Sequence, residues 1–158
     1  MTEYQLPEKY NCTVRFETNV LEHFSKHKQL QKKDHEAGGQ LFAEITESLI
    51  TIKVSTGPHP EDKRWRFMFS PSVKVEQEEI RKYFENEKLH YIGDWHTHPE
   101  PSPSPSGADI KAIKKTYAEN NNGIFGIIMV IVGNHESQNS LFVALQTESG
   151  LDELSVLK

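Results

Sequence analysis

The sequence predicts an α/β fold, and two observations carry this prediction. Segments with the two-residue alternation of strands and segments with the longer period of helices follow one another along the chain. The length of 158 residues and the hydrophobic content of 35% suit one soluble domain, residues 1–158, with a substantial core. No internal repeat or linker divides the sequence, so we expect a single domain.

The first half of the chain predicts four strands and one helix. Thr18 is a suitable helix N-cap, and the apolar residues after it predict a helix to about Lys33. Glu47-Ser48 is the turn of a predicted hairpin, and residues 57–62 form a loop by composition. The predicted strands are Cys12–Glu17, Leu41–Ile45, Leu49–Ser55 and Trp65–Phe69.

The second half predicts two helices and three strands. One helix begins at Ser70-Pro71-Ser72 and runs to about Glu87. The other runs from about Gly107 to Asn120, where the sequence Asn120-Asn121-Asn122-Gly123 stops it. The tail, residues 148–158, follows no single pattern. The predicted strands are His90–His98, Gly126–Val132 and Leu141–Gln146, the last two joined by a turn at His135–Asn139.

Two histidines, His96 and His98, stand at the end of a predicted strand. Side chains alternate between the two faces of a strand. We therefore expect one face to carry Ile92, Asp94, His96 and His98, and the other to carry Tyr91, Trp95 and Thr97. Pro99 has no N–H and ends the strand. The histidine pair can thus chelate one metal ion at a strand end, where a cleft can form.

A carboxylate, Asp109, follows eleven residues after His98. Prolines at 99, 101, 103 and 105 stiffen the connection. Ser106 and Asp109 also match a helix capping box, an interpretation that is compatible with metal binding by Asp109. Two imidazoles and one carboxylate are ligands of hydrolytic zinc sites that leave one position for water. The same set binds non-haem iron(II) in oxygenases, which stays an alternative.

Hydrolysis also requires a base for the attacking water, and two carboxylates are candidates. Asp94 lies on the ligand face, but its place before His96 sets it deeper in the fold. Glu36 precedes Gly38-Gly39 at a predicted strand start, where the backbone can pack closely against a site. We favour Glu36, although a Glu beside two glycines is also typical of an exposed loop.

Five spaced residues resemble the JAMM motif of the MPN+/JAB-type metallopeptidases: Glu36, His96, His98, Ser106 and Asp109. The resemblance covers about residues 14–146. It implies a three-layer JAMM/MPN-like (cytidine-deaminase-like) domain, in which helices pack on a curved, mixed, largely antiparallel sheet. It also implies Zn²⁺ as the cofactor, bound by both histidines and Asp109. Glu36 would act as the base, and Ser106 would donate a hydrogen bond to the developing oxyanion.

The sequence departs from many relatives in the strand after Glu36. Gln40, Phe42 and Glu44 stand there, whereas many relatives have a small residue or glycine. The shape of the substrate groove is therefore left open by the resemblance.

Within this family, the chain is similar to the small bacterial JAB deconjugases of antiphage operons of the CBASS kind. That similarity implies an isopeptidase that cleaves the amide bond after the C-terminus of a ubiquitin-like or CD-NTase-type modifier. The substrate would be a protein conjugate with its tail in the cleft, and operon partners would resemble ubiquitin-activating and ubiquitin-conjugating enzymes. One alternative is a peptidase acting on a sulfur-carrier-like protein or a short peptide. Another is a non-catalytic binding module, which the five intact residues disfavour because scaffolding members of the family lose them.

Composition also gives expectations about nucleic-acid binding, membrane association and cellular compartment. The net charge of −5 argues against nucleic-acid binding, and no apolar run approaches the ~20 residues of a membrane span. The single cysteine, Cys12, excludes an intrachain disulfide and favours the reducing cytoplasm. We expect His23 and His27 on a solvated helix face. His59, in the 57–62 loop, is a candidate for the border of the cleft.

Overall fold

The computed structural model describes residues 1–120, 126–137 and 140–158. These residues form a short 3-10 helix (Glu8–Tyr10) and three α-helices: α1 (Thr18–Lys26), α2 (Val73–Glu87) and α3 (Gly107–Glu119). None of these described helices has the length and apolar character that a membrane crossing requires. The strands are β1 (Thr2–Gln5), β2 (Thr13–Phe16), β3 (Gly38–Ile45), β4 (Leu49–Ser55), β5 (Lys63–Trp65), β6 (Met68–Ser70), β7 (His90–Thr97), β8 (Ile127–Val132), β9 (Leu141–Thr147), β10 (Gly150–Glu153) and β11 (Ser155–Val156).

Nine of these strands form one mixed sheet, in the order β10-β9-β8-β7-β3-β4-β2-β1-β11. The pairs β2–β4 and β7–β8 are parallel, and the other neighbours in this sheet are antiparallel. All six residues of β8 are buried, as expected for an apolar strand with neighbours on both sides. The predicted mixed, largely antiparallel sheet is confirmed.

The sheet is strongly curved, because its two outermost strands are nearly consecutive in the chain. Leu154 alone separates β10, at one edge, from β11, at the other. Two consecutive virtual bonds span at most ~7.6 Å, so the two edges approach each other at this point. Leu154 donates its N–H to Val143 O at 2.8 Å, and Leu157 donates to Glu3 O at 2.9 Å. The C-terminal segment thus ties the β9 side of the sheet to β1.

Helices cover both faces of the sheet, which confirms the predicted three layers. α1 buries Val20, Leu21 and Phe24 against one face, in a core that also holds Trp95. Helices α2 and α3 pack on the other face, in a second cluster around Phe42, Tyr91, Ile113, Met129 and Ile131.

Several predicted elements differ from the structure in their bounds. The first helix ends at Lys26 rather than at about Lys33, because the chain leaves the helix at His27 and Leu30 is 53% exposed. The predicted strand Trp65–Phe69 is instead the hairpin β5–β6, since a turn separates Trp65 from Met68. β1 was not predicted, and the patternless tail contains β10 and β11. Residues 121–123 of the predicted helix stop, and residues 138–139 of the predicted turn, lie outside the described residues.

A β-bulge corrects the predicted faces of β7. Gly93 pairs with Leu41 and Tyr91 pairs with Phe42, so Ile92 has no partner on β3. An extra residue inverts the alternation on its N-terminal side. Ile92 therefore joins the core of Trp95, and the Tyr91 hydroxyl reaches Asp94 on the ligand face at 2.8 Å.

Candidate metal centre and active-site cleft

Three side chains from two elements converge at the end of β7. His96 lies in β7, His98 directly follows it, and Asp109 lies in the first turn of α3. The Nε2 atoms of the two histidines are 3.2 Å apart. Asp109 Oδ1 lies 3.2 Å from Nε2 of His96, and Oδ2 lies 3.1 Å from Nε2 of His98. The structure thus brings together the three ligands predicted from the sequence.

This donor set fits a zinc ion. Ligand atoms about 2.05 Å from a tetrahedral ion are separated by ~3.3 Å from one another. The two Nε2 atoms, 3.2 Å apart, match that value, and each lies 3.1–3.2 Å from a different oxygen of Asp109. Within the described residues, no second group of three His, Cys, Asp or Glu side chains has a comparable spacing. The three residues can therefore hold one metal with little rearrangement.

Asp109 is fixed in this position by a capping box at the start of α3. The Ser106 hydroxyl accepts a hydrogen bond from Asp109 N at 3.1 Å, and Asp109 Oδ2 accepts one from Ser106 N at 2.9 Å. Both expectations for Asp109 therefore hold at once: it caps the helix and also faces the histidines. The hydroxyl proton of Ser106, which is not used in this bond, can be donated into the cleft.

His98 is held from both sides of its ring. Its Nδ1 lies 3.0 Å from Oε1 of Glu100, while its Nε2 faces Asp109. Burial lowers the pKa of His98, but the hydrogen bonds with Asp109 and Glu100 outweigh it and raise the pKa to about 9. Burial acts to raise the pKa of Asp109, but the hydrogen bonds with His96 and His98 hold it well below its usual range. Without a metal, these pKa shifts favour an ion pair between a protonated His98 and the Asp109 carboxylate.

Glu36 is buried beside this group, with 6% of its surface exposed. Gly38 pairs with His96, and continuing this antiparallel register sets Glu36 beside His98. Burial raises the pKa of Glu36 to about 7, although His98 acts to lower it and Asp109 acts to raise it. A carboxyl with a pKa near 7 is suited to accept and return a proton.

The β5–β6 hairpin fixes the backbone of Glu36. Glu36 N donates to Trp65 O at 2.7 Å, and Arg64 Nε donates to Glu36 O at 2.7 Å. The glycines after Glu36 allow this close packing: a Cβ on Gly38 would lie 2.7 Å from the Phe69 ring. The glycines beside Glu36 thus allow close packing, as expected from the sequence, and the exposed-loop interpretation is wrong because Glu36 is buried.

A cleft of about 760 Å³ opens beside these residues. One wall is the β5–β6 hairpin, on which Phe67 is 74% and Met68 is 48% exposed. The opposite wall is α3, with Ala108, Ala112 and Ile113. Glu36, Ser106 and the three candidate ligands all line the cleft.

The surroundings of three other histidines differ from those expected from the sequence. His23 and His27 do not lie on a solvated face, because both rings pack against Trp95, at centroid distances of 5.2 and 5.9 Å. His23 Nε2 also lies 2.8 Å from Gly57 O. His59 does not line the metal cleft; its Nε2 lies 3.0 Å from Glu79 Oε2 behind it.

Two residues that support the site were not predicted from the sequence. Glu100 orients His98, and its signal was a carboxylate two residues after the histidine pair. Arg64 anchors the Glu36 backbone, and no local pattern could reveal this because 28 residues separate the two. Asp94 lies as deep as expected, behind His96 and hydrogen bonded to Tyr91.

Comparisons with known proteins agree with this architecture. A family model described as prokaryotic homologs of the JAB domain matches residues 17–145. A protein of Pseudomonas aeruginosa (strain BWHPSA011 / Pa011) named CD-NTase/cGAS isopeptidase is 32% identical over 140 residues, which cover 87% of this chain and 85% of the relative. A protein of the same name from Escherichia coli (strain TW11681) is 28% identical over 114 residues, which cover 71% and 73%. A solution structure of a Desulfitobacterium hafniense protein has a similar fold, with a TM-score of 0.64 at 17% identity over 89% of this chain and 88% of that one.

Proposed function

The chain belongs to the family of prokaryotic JAB-domain homologues, and from this premise we propose that it is a zinc-dependent isopeptidase. The observation that carries the proposal is the convergence of His96, His98 and Asp109 beside a buried carboxylate, Glu36. These are the two parts that metal-assisted amide hydrolysis needs: a ligand set with an open position and an adjacent base.

The residues of the cleft would divide the reaction between them. Zinc bound by His96, His98 and Asp109 would lower the pKa of water and polarise the scissile carbonyl. Glu36 would accept the proton of the attacking water and return it to the leaving amine, for which a pKa near 7 is favourable. Ser106 would donate its free hydroxyl proton to the developing oxyanion, an interaction typically worth ~3–4 kcal/mol in the transition state.

The substrate is proposed to be a protein conjugate whose modifier tail lies extended in the cleft. The β5–β6 hairpin pairs with no other strand of the described residues. Because β5 is already hydrogen bonded to Glu36, the edge of β6 is the one that can add a strand of substrate. The exposed Phe67 and Met68 of the hairpin offer apolar contacts for the tail. By analogy with the names of the two relatives above, the modifier would be a CD-NTase-type protein. The family resemblance further implies a CBASS system, with operon partners that resemble ubiquitin-activating and ubiquitin-conjugating enzymes.

Metal analysis tests the first part of this proposal. We expect near-stoichiometric zinc in the native protein by mass spectrometry, and its loss in His98→Ala. Iron in place of zinc, with dioxygen-dependent turnover, would indicate an oxygenase. A folded protein that takes up no metal would indicate a non-catalytic binding module.

Cleavage of a conjugate tests the second part. The zinc-loaded chain should release a CD-NTase-type protein from an amide-linked target, and Glu36→Gln should abolish release while retaining zinc. Glu61→Gln, an exposed carboxylate outside the cleft, is the matched control and should cleave at the wild-type rate. Hydrolysis of short peptides or of a sulfur-carrier fusion, with no action on the conjugate, would redirect the substrate assignment.

A further inference from the structure

We propose that the floor of the cleft, formed by Asp94 and Glu76, is a pocket for a lysine or arginine side chain of the substrate. The proposal rests on the proposed peptidase function and concerns specificity. Both carboxylates line the same cavity as the candidate metal ligands. Asp94 lies two residues before His96 on the same face of β7, so the floor begins roughly 7 Å from the metal group along the strand.

Asp94 has one satisfied oxygen and one unsatisfied oxygen. Its Oδ2 accepts a hydrogen bond from the Tyr91 hydroxyl at 2.8 Å. Its Oδ1 is shielded from solvent and has no hydrogen-bond partner among the described residues. Buried polar atoms are almost always paired, so the unpaired oxygen of a carboxylate residue that lines a cavity indicates a missing donor.

Among the described residues, no side chain forms a hydrogen bond or ion pair with the Glu76 carboxylate, whereas its neighbour on α2, Glu79, has two polar contacts. Glu79 accepts a hydrogen bond from Thr56 Oγ1 at 2.9 Å and lies 3.0 Å from His59 Nε2. The described residues provide no such partner for the Glu76 carboxylate. Burial raises its pKa to about 8, with the negative charges of Asp94 and other carboxylates adding to the effect. Glu76 is thus an acid without a compensating positive charge.

The remainder of the cavity suits the stem of a long basic side chain. The walls around the floor include the apolar side chains of Phe69, Ile113 and Met129. No lysine or arginine is among the described residues that line the cleft. Lys and Arg bury an aliphatic stem along apolar surface and carry the charge at its end, which matches apolar walls above an acidic floor.

A substrate side chain fits this floor better than a second metal ion. Metal sites bring three or more ligands within a few ångströms, and among the described residues only the group of His96, His98 and Asp109 does so. Asp94 and Glu76 therefore present two carboxylates suited to hydrogen bonds from an ammonium or guanidinium group.

The test uses binding as its readout, so that it does not depend on turnover. n-Butylammonium carries the head and stem of a lysine, and 1-butanol is its neutral counterpart. The chain has three methionines, and Met129 pairs with Asp94 across β7–β8. In the zinc-loaded protein with labelled methionine methyl groups, n-butylammonium should shift the Met129 signal saturably and leave Met1, which does not line the cleft, unchanged.

Variants then assign the binding to the floor. Glu76→Gln should weaken n-butylammonium binding at least fivefold, and Asp94→Asn should do the same if it folds. Glu78→Gln, an exposed carboxylate on the same helix, should bind as wild type. Equal affinity for 1-butanol, unchanged affinity in Glu76→Gln, or a second zinc per chain that is lost in this variant would each overturn the proposal.

Peptide cleavage tests whether the cation pocket determines substrate specificity. Quenched peptides with lysine or norleucine beside the scissile amide should differ in kcat/KM by about tenfold in favour of lysine, and this ratio should fall towards one in Glu76→Gln. Absence of cleavage by every variant, together with specific n-butylammonium binding, would refute the peptidase function but retain the cation pocket.

Discussion

The Nδ1 atom of His98 lies 3.0 Å from Glu100 Oε1, on the side of the ring away from Asp109. This contact selects the tautomer in which Nδ1 carries the proton and Nε2 is free to bind a metal. Glu100 is also held in place, because the same Oε1 accepts a hydrogen bond from Ser104 N at 3.1 Å. Carboxylates in this position orient ligating histidines and raise their basicity.

We predict that Glu100→Gln weakens zinc binding by about 10–100-fold. The amide cannot support the imidazole as a carboxylate does, although its oxygen still accepts the Nδ1 proton. A competition titration with a chelator measures the change. Glu119→Gln, at the far end of α3, is the control and should leave zinc affinity unchanged. Equal affinities of wild type and Glu100→Gln would show that Glu100 has no orienting role.

Zinc affinity should rise with pH. The pKa of His98 is raised to about 9 in the metal-free protein, so this imidazole is protonated at neutral pH. Zinc must displace that proton, and the apparent affinity should therefore increase by about tenfold per pH unit between pH 7 and 9. Calorimetry in buffers of different ionisation enthalpy measures the proton released. Zinc uptake without proton release at pH 7 would contradict the assignment.

Glu76→Gln should stabilise the protein at alkaline pH. The folded pKa of Glu76, about 8, exceeds its ordinary value of 4.5, so the folded state holds the proton more tightly. The stability that this carboxyl contributes is therefore present below about pH 4.5 and is lost as pH rises to about 8. The glutamine variant avoids this loss, and we expect a gain on the order of 1 kcal/mol at pH 9, discounted because Glu76 is partly exposed.

Urea unfolding of wild type and Glu76→Gln at pH 5 and pH 9 measures the effect. The difference in the free energy of unfolding should be larger at pH 9 than at pH 5. Glu78→Gln, whose carboxylate is exposed on the same helix, should show no such dependence. A difference independent of pH would mean that the Glu76 carboxyl ionises as easily in the folded protein as in the unfolded one.

Gly39→Ala should destabilise the fold by about 3 kcal/mol and disturb Glu36. A Cβ at this position would lie 1.7 Å from Thr56 O, which also accepts a hydrogen bond from Trp95 Nε1 at 2.8 Å. Thermal and urea unfolding measure the loss. Gly107→Ala is the matched control, because its Cβ would meet nothing within 4 Å, and it should be neutral or slightly stabilising. Similar stabilities for the two variants would contradict the close packing of Gly39.

The candidate metal group could be predicted because its residues are close in sequence and their local geometry is regular. His96 and His98 are two positions apart on a strand, and Asp109 follows across a proline-rich connection. The capping box that fixes Asp109 is likewise a local pattern. Helix α2 was predicted with its end at Glu87 for the same reason.

The predictions that were wrong concern segments whose structure depends on residues distant in the sequence. His23 and His27 stand beside lysines in the sequence, yet their rings pack on Trp95, about seventy residues away. The predicted helix to Lys33 fails because Gln29 is buried, where it accepts a hydrogen bond from Thr97 Oγ1 at 2.8 Å. The bulge at Ile92 reverses side-chain faces, and hydrophobic alternation carries no signal for it.

The curvature of the sheet has a consequence for synthesis of the chain. β1 pairs on one side with β2, which follows it directly, but its other partner is β11, where Val156 lies opposite Tyr4. On the ribosome, all residues of the candidate metal centre have been made before β11 is added. Until then β1 remains an open edge, able to pair with a strand of another molecule. By pairing with β1, strand β11 therefore removes an edge at which nascent chains could associate with one another.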